Sequence, residues 1–434
     1  MQTDLGRQDV IVIGGGLAGM AASIHLAKAG LKVACIEATP ENNVIVGESL
    51  DWSAPELLKA LGLSMEHLIA EEIATYKRHI ILDIGDGCRQ EYVPSEWLGN
   101  SPWNVELRTL HVDRVRLKKA LREILLAHDV DTFRDKVFEV ERDGKRIIAL
   151  KTESGKRFDS RWFIDASGCV TSLLPRLFNL PVREYGPSKV AVWNYFHVAD
   201  SIEGTTLYAD GNQPGYMEWV WEIPIQPKLI SVGYICTGAA MKGMRQQKRT
   251  VSEIYTQRLS EIPRFASVLS SAIGLSPQVT SFRCRVHGKI AGPNWLVVGE
   301  AAAMVDPMTS NGVTAALRSA SEASSLIVKY FQHGRLPLFA RTSYSRRVQE
   351  LAKFFNSGIE RVIYDSPIRK RIGVVNAGDV YTVPAWSMNA LYARLQPVGL
   401  ISTGLFTLAL ASLRAAACIF YWLCRSMPSA ESAS

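Results

Sequence analysis

Four β-branched residues, Val10-Ile11-Val12-Ile13, run directly into Gly14-Gly15-Gly16-Leu17-Ala18-Gly19, and an Ala/Leu-rich stretch with helical spacing follows as far as Ala29. The β-branched run predicts a strand. The glycines admit a tight turn closed to bulkier residues, and the periodic stretch predicts a helix. Gly30 ends that helix as a C′ glycine, and Lys32-Val33-Ala34-Cys35-Ile36-Glu37 predicts the next parallel strand, with an acidic residue at its tip. The opening is therefore a βαβ unit, and the fold class is α/β.

In a Gly-x-Gly-x-x-Gly turn the first glycine makes the bend and the second lets backbone N–H groups approach a pyrophosphate. The third packs helix against strand. Here these are Gly14, Gly16 and Gly19, and Glu37, about twenty residues on, is placed to accept a ribose hydroxyl. The helix dipole favours phosphate at the same turn. This much predicts a dinucleotide and leaves FAD and NAD open.

Later segments break the tie. A helix is predicted from Val112 to His128 and strands over Arg146–Leu150 and Arg161–Ile164, the last closed by Asp165-Ala166-Ser167-Gly168. From Val190 to Cys284 the pattern turns to alternating, aromatic-rich strands, which predict a separate antiparallel sheet on the substrate side. Leu296-Val297-Val298 restores the parallel type. After it, Glu300 in Gly299-Glu300-Ala301 offers a carboxylate for ribityl or ribose hydroxyls. Asp306-Pro307 then leads through Met308-Thr309-Ser310-Asn311 to Gly312, a helix start whose N–H groups suit the electron-rich edge of a reduced isoalloxazine. These features favour FAD. The organisation read from them is a discontinuous Rossmann-like FAD-binding domain (residues 1–40, 102–175 and 283–330). Substrate-side segments with an antiparallel sheet (41–101 and 176–282) are inserted into it, and a helical C-terminal region (331–434) follows.

Through these motifs residues 9 to 330 resemble the flavoprotein superfamily of aromatic hydroxylases, geranylgeranyl-reductase-like enzymes and flavin-dependent halogenases. The resemblance maps the dinucleotide loop to Gly14, Gly16, Gly19 and Glu37, the Asp-Ala-Ser-Gly segment to Asp165 through Gly168, and the Gly-Asp-Ala segment to Gly299-Glu300-Ala301 with Glu for Asp. It also implies a basic residue near the start of the long helix that helps hold FAD. Arg108 is taken for that role, with Arg114 the other candidate. Trp219-Val220-Trp221-Glu222-Ile223-Pro224 resembles the Trp-x-Trp-x-Ile-Pro signature of the halogenases, and Val46-Gly47-Glu48-Ser49 their flavin-passing loop. Two tryptophans at i and i+2 of a strand point the same way and are expected to wall a cavity.

The halogenase lysine, which intercepts hypohalous acid, maps to Lys77, whereas the glutamate of the halogenase pattern is replaced by Thr309. The first expectation is accordingly a monooxygenase in which reduced flavin and O2 form a C4a-hydroperoxide that oxygenates an aromatic or extended apolar substrate, free or carrier-bound. Lys77, Trp219, Trp221, Thr309 and Ser310 are the catalytic candidates, and Glu48, Ser49, Asp306, Asn311 and Gly312 join the cofactor set. The alternatives are a halogenase and a reductase of isoprenoid or polyene double bonds. Electrons come from NAD(P)H directly or through a separate flavin reductase, since no second glycine fingerprint is visible.

Composition adds bounds. The net charge of +7 gathers toward the C-terminus (Arg369, Lys370, Arg371, Arg394, Arg414, Arg425), which argues against nucleic acid and for contact with a membrane surface. The apolar segment 398–424, with Arg414 its one charge, fits either a buried helix pair or such contact. Seven scattered cysteines with no close pair read as reduced thiols and argue against a metal site. No secretory pattern opens the chain, so a cytoplasmic protein associated with the inner face of the membrane is expected.

Overall fold

The computed structural model describes residues 8–38, 46–85, 88–93, 108–201, 203–210, 213, 215–395 and 400–426. The predicted opening is present: a buried strand Gln8–Ile13, helix Leu17–Lys28 and strand Val33–Glu37. Gln8–Ile13 lies between Val33–Glu37 and Arg157–Asp165, parallel to both, with Ile13 beside Asp165. Asp131–Arg134 extends one side in parallel, and Trp295–Val297 pairs in parallel with Arg157–Asp165. Two antiparallel strands, Arg146–Thr152 and Val137–Asp143, complete this seven-stranded sheet. The strand ends at Ile13, Asp165 and Val297 bring the three glycine-containing segments to one edge, where α/β sheets bind their ligands.

The second sheet has eight strands in the order Ala303–Met304, Ala272–His287, Val182–His197, Leu229–Thr237, Trp219–Gln226, Thr205–Ala209, Ile80–Asp83, Arg89–Tyr92. Only the Thr205–Ala209 and Ile80–Asp83 pair is parallel. In-and-out alternation is lost in Trp219–Gln226, which is buried along its length up to Ile225, because helices cover both faces. On one face Trp193, Trp219 and Trp221 pack with Phe355, Ile359, Tyr364 and Met388 of the C-terminal helices. On the other, Val220, Val232 and Tyr234 pack with Met241, Ile254 and Leu259. The mixed α/β architecture expected from the sequence is the one observed.

The C-terminal region is helical as predicted: Leu338–Val362, Pro367–Leu395 with a break at Gly373 (φ 78°), and Leu400–Ser426. The start of the apolar segment, 398–399, lies outside the described residues. The last helix buries Leu410 against the core and exposes Leu405, Leu408, Ile419, Phe420, Trp422 and Leu423. Among the described residues no helix is long and apolar enough to cross a membrane.

Candidate active site

At the glycine loop, Gly14 has φ 102°, and a Cβ there would lie 2.4 Å from the Ala166 carbonyl oxygen. A Cβ on Gly19 would lie 1.8 Å from the Gly14 carbonyl oxygen. Both positions therefore require glycine for backbone packing. Gly16 differs. Nothing lies within 4 Å of a Cβ built there, and no side chain caps the helix it opens. That open cradle in front of uncapped N–H groups fits a pyrophosphate. Glu37 accepts the Gly15 N–H, so its carboxylate sits on the loop. Gly19→Ala is expected to yield protein with little bound FAD, read as flavin absorbance per protein after purification; full occupancy would refute this account of the turn.

The strand Thr109–Val112 assembles the middle of the site. Ala74–Lys77 pairs on one side, Lys77 against Thr109. On the other, Leu50 N donates to Leu110 O (3.0 Å) and Val112 N to Glu48 O (2.8 Å). Glu48, Ser49 and Lys77 are thereby brought together. Glu48 is buried and accepts from Gly47 N (3.0 Å), Ser231 Oγ (3.1 Å) and Tyr195 Oη (3.3 Å). Burial pushes its carboxyl up, against the pull of those N–H and O–H groups and of Arg114.

Arg114, the first residue of helix Arg114–Ala127, donates to Gly47 O at 2.9 Å and faces the charges of Glu48 and Glu300. Arg108 lies exposed and acts on Glu66 at the surface. Of the two basic candidates, it is Arg114 that stands at the Gly47 loop beside Glu48 and Glu300. The N-cap explains it: Asp113 starts the helix by accepting from Val115 N and Arg116 N, and turns residue 114 back toward the loop.

Two other residues expected at the cofactor, Asp165 and Asp306, anchor their own loops. Asp165 is fully buried and both carboxylate oxygens accept backbone N–H groups, from Ser167 (2.9 Å) and Leu174 (2.6 Å). Asp306 is fully buried against Lys189 Nζ (2.9 Å), Tyr364 Oη (2.9 Å) and Met308 N (3.1 Å). Each carboxylate thereby shapes the turn that follows it. Glu300, in the short helix Gly299–Ala301, faces Arg114 and Cys169. Gly168 (φ 76°) opens the turn after Asp165. Asn311, which donates to Thr309 O (2.9 Å), precedes Gly312 at the start of helix Gly312–Tyr330.

Lys77 is buried beside a cavity with about 850 Å³ of empty space, counted to its open mouth. Its Nζ donates to Leu50 O (3.0 Å) and Ser310 Oγ (3.4 Å) and lies 5.1 Å from the centre of the Trp52 ring. Burial lowers its pKa to about 7, with Asp51 acting in the opposite direction. Asp51, Trp52, Thr309, Asn311 and Trp219 line the same cavity. From Ser310 a chain of hydroxyls leads inward through Ser49 (3.1 Å) and Thr205 (2.8 Å) to His111 Nε2 (2.9 Å). Burial, and then the Lys77 charge, holds His111 well below its usual pKa. Thr309 donates to Asp306 O (2.7 Å), so the residue replacing the glutamate is engaged with its own loop.

Of the two tryptophans only Trp219 lines the cavity. Each has a further bond. Trp219 Nε1 donates to Tyr364 Oη (3.2 Å), which donates to Asp306; Trp221 Nε1 donates to Ser231 Oγ (3.2 Å), which donates to Glu48. The pair thus braces the 306–312 loop and the 46–49 loop. Sequence reasoning missed Asp51, Trp52, His111, Thr205, Lys189 and Tyr364. Asp51 and Trp52 directly follow the flavin-passing motif and could have been found there; the others carry no local signal.

A family model for tryptophan halogenases matches residues 99–356, more than half of the chain. The chain belongs to the tryptophan halogenase family. A model for FAD-dependent oxidoreductases matches residues 9–171. This halogenase-family enzyme is 27% identical over 353 residues to a tryptophan 2-halogenase of Chondromyces crocatus, covering 78% of this chain and 64% of that one. It therefore spans less than two thirds of that relative. It is 25% identical over 418 residues to a 1H-pyrrole-2-carbonyl-[peptidyl-carrier protein] chlorinase of Pseudomonas fluorescens, covering 86% and 90%. In fold it is similar to the flavin-dependent brominase Bmp2, with TM-score 0.72 at 19% identity over 95% of this chain and 100% of the brominase. The enzyme is an FAD-dependent oxidoreductase of the halogenase type, and the family match favours halogenation, the alternative reading, over the oxygenation expected first.

Proposed function

We propose that this enzyme halogenates an aromatic substrate, free or tethered to a carrier protein, in the cavity beside Lys77. The observation that carries the reading is Lys77 itself: a buried amine with a pKa near 7, at the cavity wall and bonded to the loop that opens helix Gly312–Tyr330. Bound reduced FAD, with O2 and a halide ion, supplies hypohalous acid. A neutral Lys77 amine takes the halogen from that acid: an N–halogen bond forms, the O–halogen bond breaks, and the displaced hydroxide leaves as water with a proton from nitrogen. The halogen then passes to the ring. Its carbon bonds the halogen as the N–halogen bond breaks, and the ring proton ends on the amine. The apolar walls, Leu82, Leu207, Met217 and Trp219 among them, keep water from the halogenated nitrogen.

The carrier-tethered form of the substrate is suggested by the substrate named for the Pseudomonas relative. A separate flavin reductase is proposed as the electron source. The test is product mass from aromatic acceptors with reduced flavin, with and without O2 and with chloride, bromide or neither. Halogenated product that requires both halide and O2 is expected. Hydroxylated product independent of halide would restore the monooxygenase reading, and turnover without O2 would favour the reductase.

A further inference from the structure

Thr309 stands where the tryptophan-type halogenase pattern has its glutamate, yet the cavity does hold a carboxylate, brought from a different loop. Asp51 is 1% exposed and lines the cavity with Lys77, Trp52 and Thr309. Its Oδ1 accepts both Ser53 N and Ser53 Oγ at 2.8 Å. Its backbone oxygen accepts from Thr109 Oγ1 (2.6 Å) and Ala54 N (3.2 Å). These contacts fix the residue in place. Oδ2, by contrast, is buried and has no hydrogen-bond partner among the described residues. Two cations act on this carboxylate without bonding Oδ2: Lys77, and Arg318, whose Nη2 donates to Ser53 Oγ at 2.8 Å.

A buried carboxylate oxygen with no partner is costly, and a structure keeps one where a ligand completes it. Elsewhere on the cavity wall Thr309 Oγ1 is engaged with Asp306 O and Lys77 Nζ is a donor itself, while the Tyr381 hydroxyl, also buried without a partner among the described residues, is an uncharged and weaker acceptor than a carboxylate. The free oxygen therefore matches one kind of group, an N–H or O–H carried on an otherwise apolar, ring-sized molecule.

We infer that Asp51 is the substrate-recognition residue of the halogenation site: its Oδ2 accepts the N–H or O–H of an electron-rich aromatic such as a phenol or pyrrole and presents the ring to Lys77. This rests on the halogenase reading and gives it a substrate class. The contact also contributes to the chemistry. As the ring carbon takes the halogen from Lys77, positive charge spreads to the ring's heteroatom, whose proton is already shared with the carboxylate. That interaction strengthens as the charge develops. The ring proton still leaves to the Lys77 amine, and Asp51 ends the cycle unchanged.

The test uses matched pairs, phenol with anisole and pyrrole with N-methylpyrrole, and the wild-type enzyme with Asp51→Leu and Asp51→Asn. Halogenation rates are divided by the ratio each pair gives with free hypochlorous acid, which removes intrinsic reactivity. The wild type is expected to favour the donor-bearing member by roughly 10²-fold or more in kcat/KM, as sites built around a substrate donor do. Asp51→Leu should reduce that preference to within roughly threefold of solution, and Asp51→Asn, which keeps an acceptor, should restore part of it. A wild type without preference, or an Asp51→Leu enzyme that keeps it, overturns the inference. A second measurement needs no turnover: quenching of tryptophan fluorescence by phenol and anisole should show the same preference in binding, lost in Asp51→Leu. If that preference is found but no halogenated product forms with any substrate, the halogenase reading fails while the contact stands. If product forms and the preference is absent, the contact fails alone.

Discussion

Lys77→Met is expected to give an enzyme that is more stable than the wild type and no longer halogenates. Lys77 is 1% exposed, bonded to the Leu50 carbonyl and to Ser310, with no carboxylate within ion-pair distance among the described residues. Burial lowers its pKa from 10.5 to about 7. Below pH 7 both native and unfolded chains carry the proton, and the native state bears the full cost of a buried cation. Between pH 7 and 10.5 the unfolded chain holds the proton and the native chain does not, so stability rises with pH across that window. Methionine removes the charge at similar volume. The gain expected at pH 7 or below is about 1–3 kcal/mol, after allowing for the donor lost to Leu50 O. Denaturant unfolding at pH 6 and pH 9 measures it: the variant should exceed the wild type by more at pH 6, and a variant less stable at both would contradict the burial argument. In the wild type, product formation should fall as pH drops below 7 and the amine takes up its proton, as it should for a nucleophile that must be neutral.

The other deeply buried lysine should behave in the opposite way. Lys189 Nζ lies 2.9 Å from Asp306 and 2.8 Å from Glu360, under the ring of Tyr364 at 4.3 Å, and is itself 0% exposed. Burial alone would lower its pKa, but Asp306, Cys284 and Glu360 outweigh it and the ammonium is held above the usual lysine range. Lys189→Met leaves Asp306 and Glu360 facing one another without a cation, and a loss of about 3–5 kcal/mol is expected. Because Asp306 also accepts Met308 N and Tyr364 Oη, the 306–312 loop should loosen, and FAD affinity should fall with stability. Titration of FAD into the apoprotein alongside denaturant unfolding checks both; unchanged stability would remove the buried ion pair from the account of this loop.

The fold was legible where a local pattern carries it. The strand, glycine turn and helix at residues 8–37 need only neighbours in sequence, and the same holds for the strand ending at Asp165 and the helix starting at Gly312. Lys77 was legible through a short motif, although periodicity alone would have left it as an exposed lysine on an edge strand. What escaped depends on distant partners. Trp219 and Tyr364 are separated by 145 positions, and Lys189 and Asp306 by 117. No window of sequence contains both members of such a pair. That Arg114 meets the Gly47 loop follows from its place directly after the Asp113 cap, a matter of backbone direction that charge alone does not reveal. The apolar C-terminal segment could equally have been a buried helix or a lipid-facing one, because packing against the core decides that and composition does not.

One side of the cavity beside Lys77 is formed by Ile359, Ile363, Gly378, Tyr381, Thr382 and Ala385, from the last turns of one helix and the length of the next. All six lie beyond residue 356, where the segments matched by both family models have ended. Lys77, the glycine turn and the loops braced by the two tryptophans lie within them. That wall is therefore built by a part of the chain that carries neither Lys77 nor Asp51, while Asp51, Leu207 and Trp219, within the matched segments, line the rest of the cavity. The shape of one cavity wall can therefore be altered through two helices without touching Lys77, Asp51 or the glycine turn.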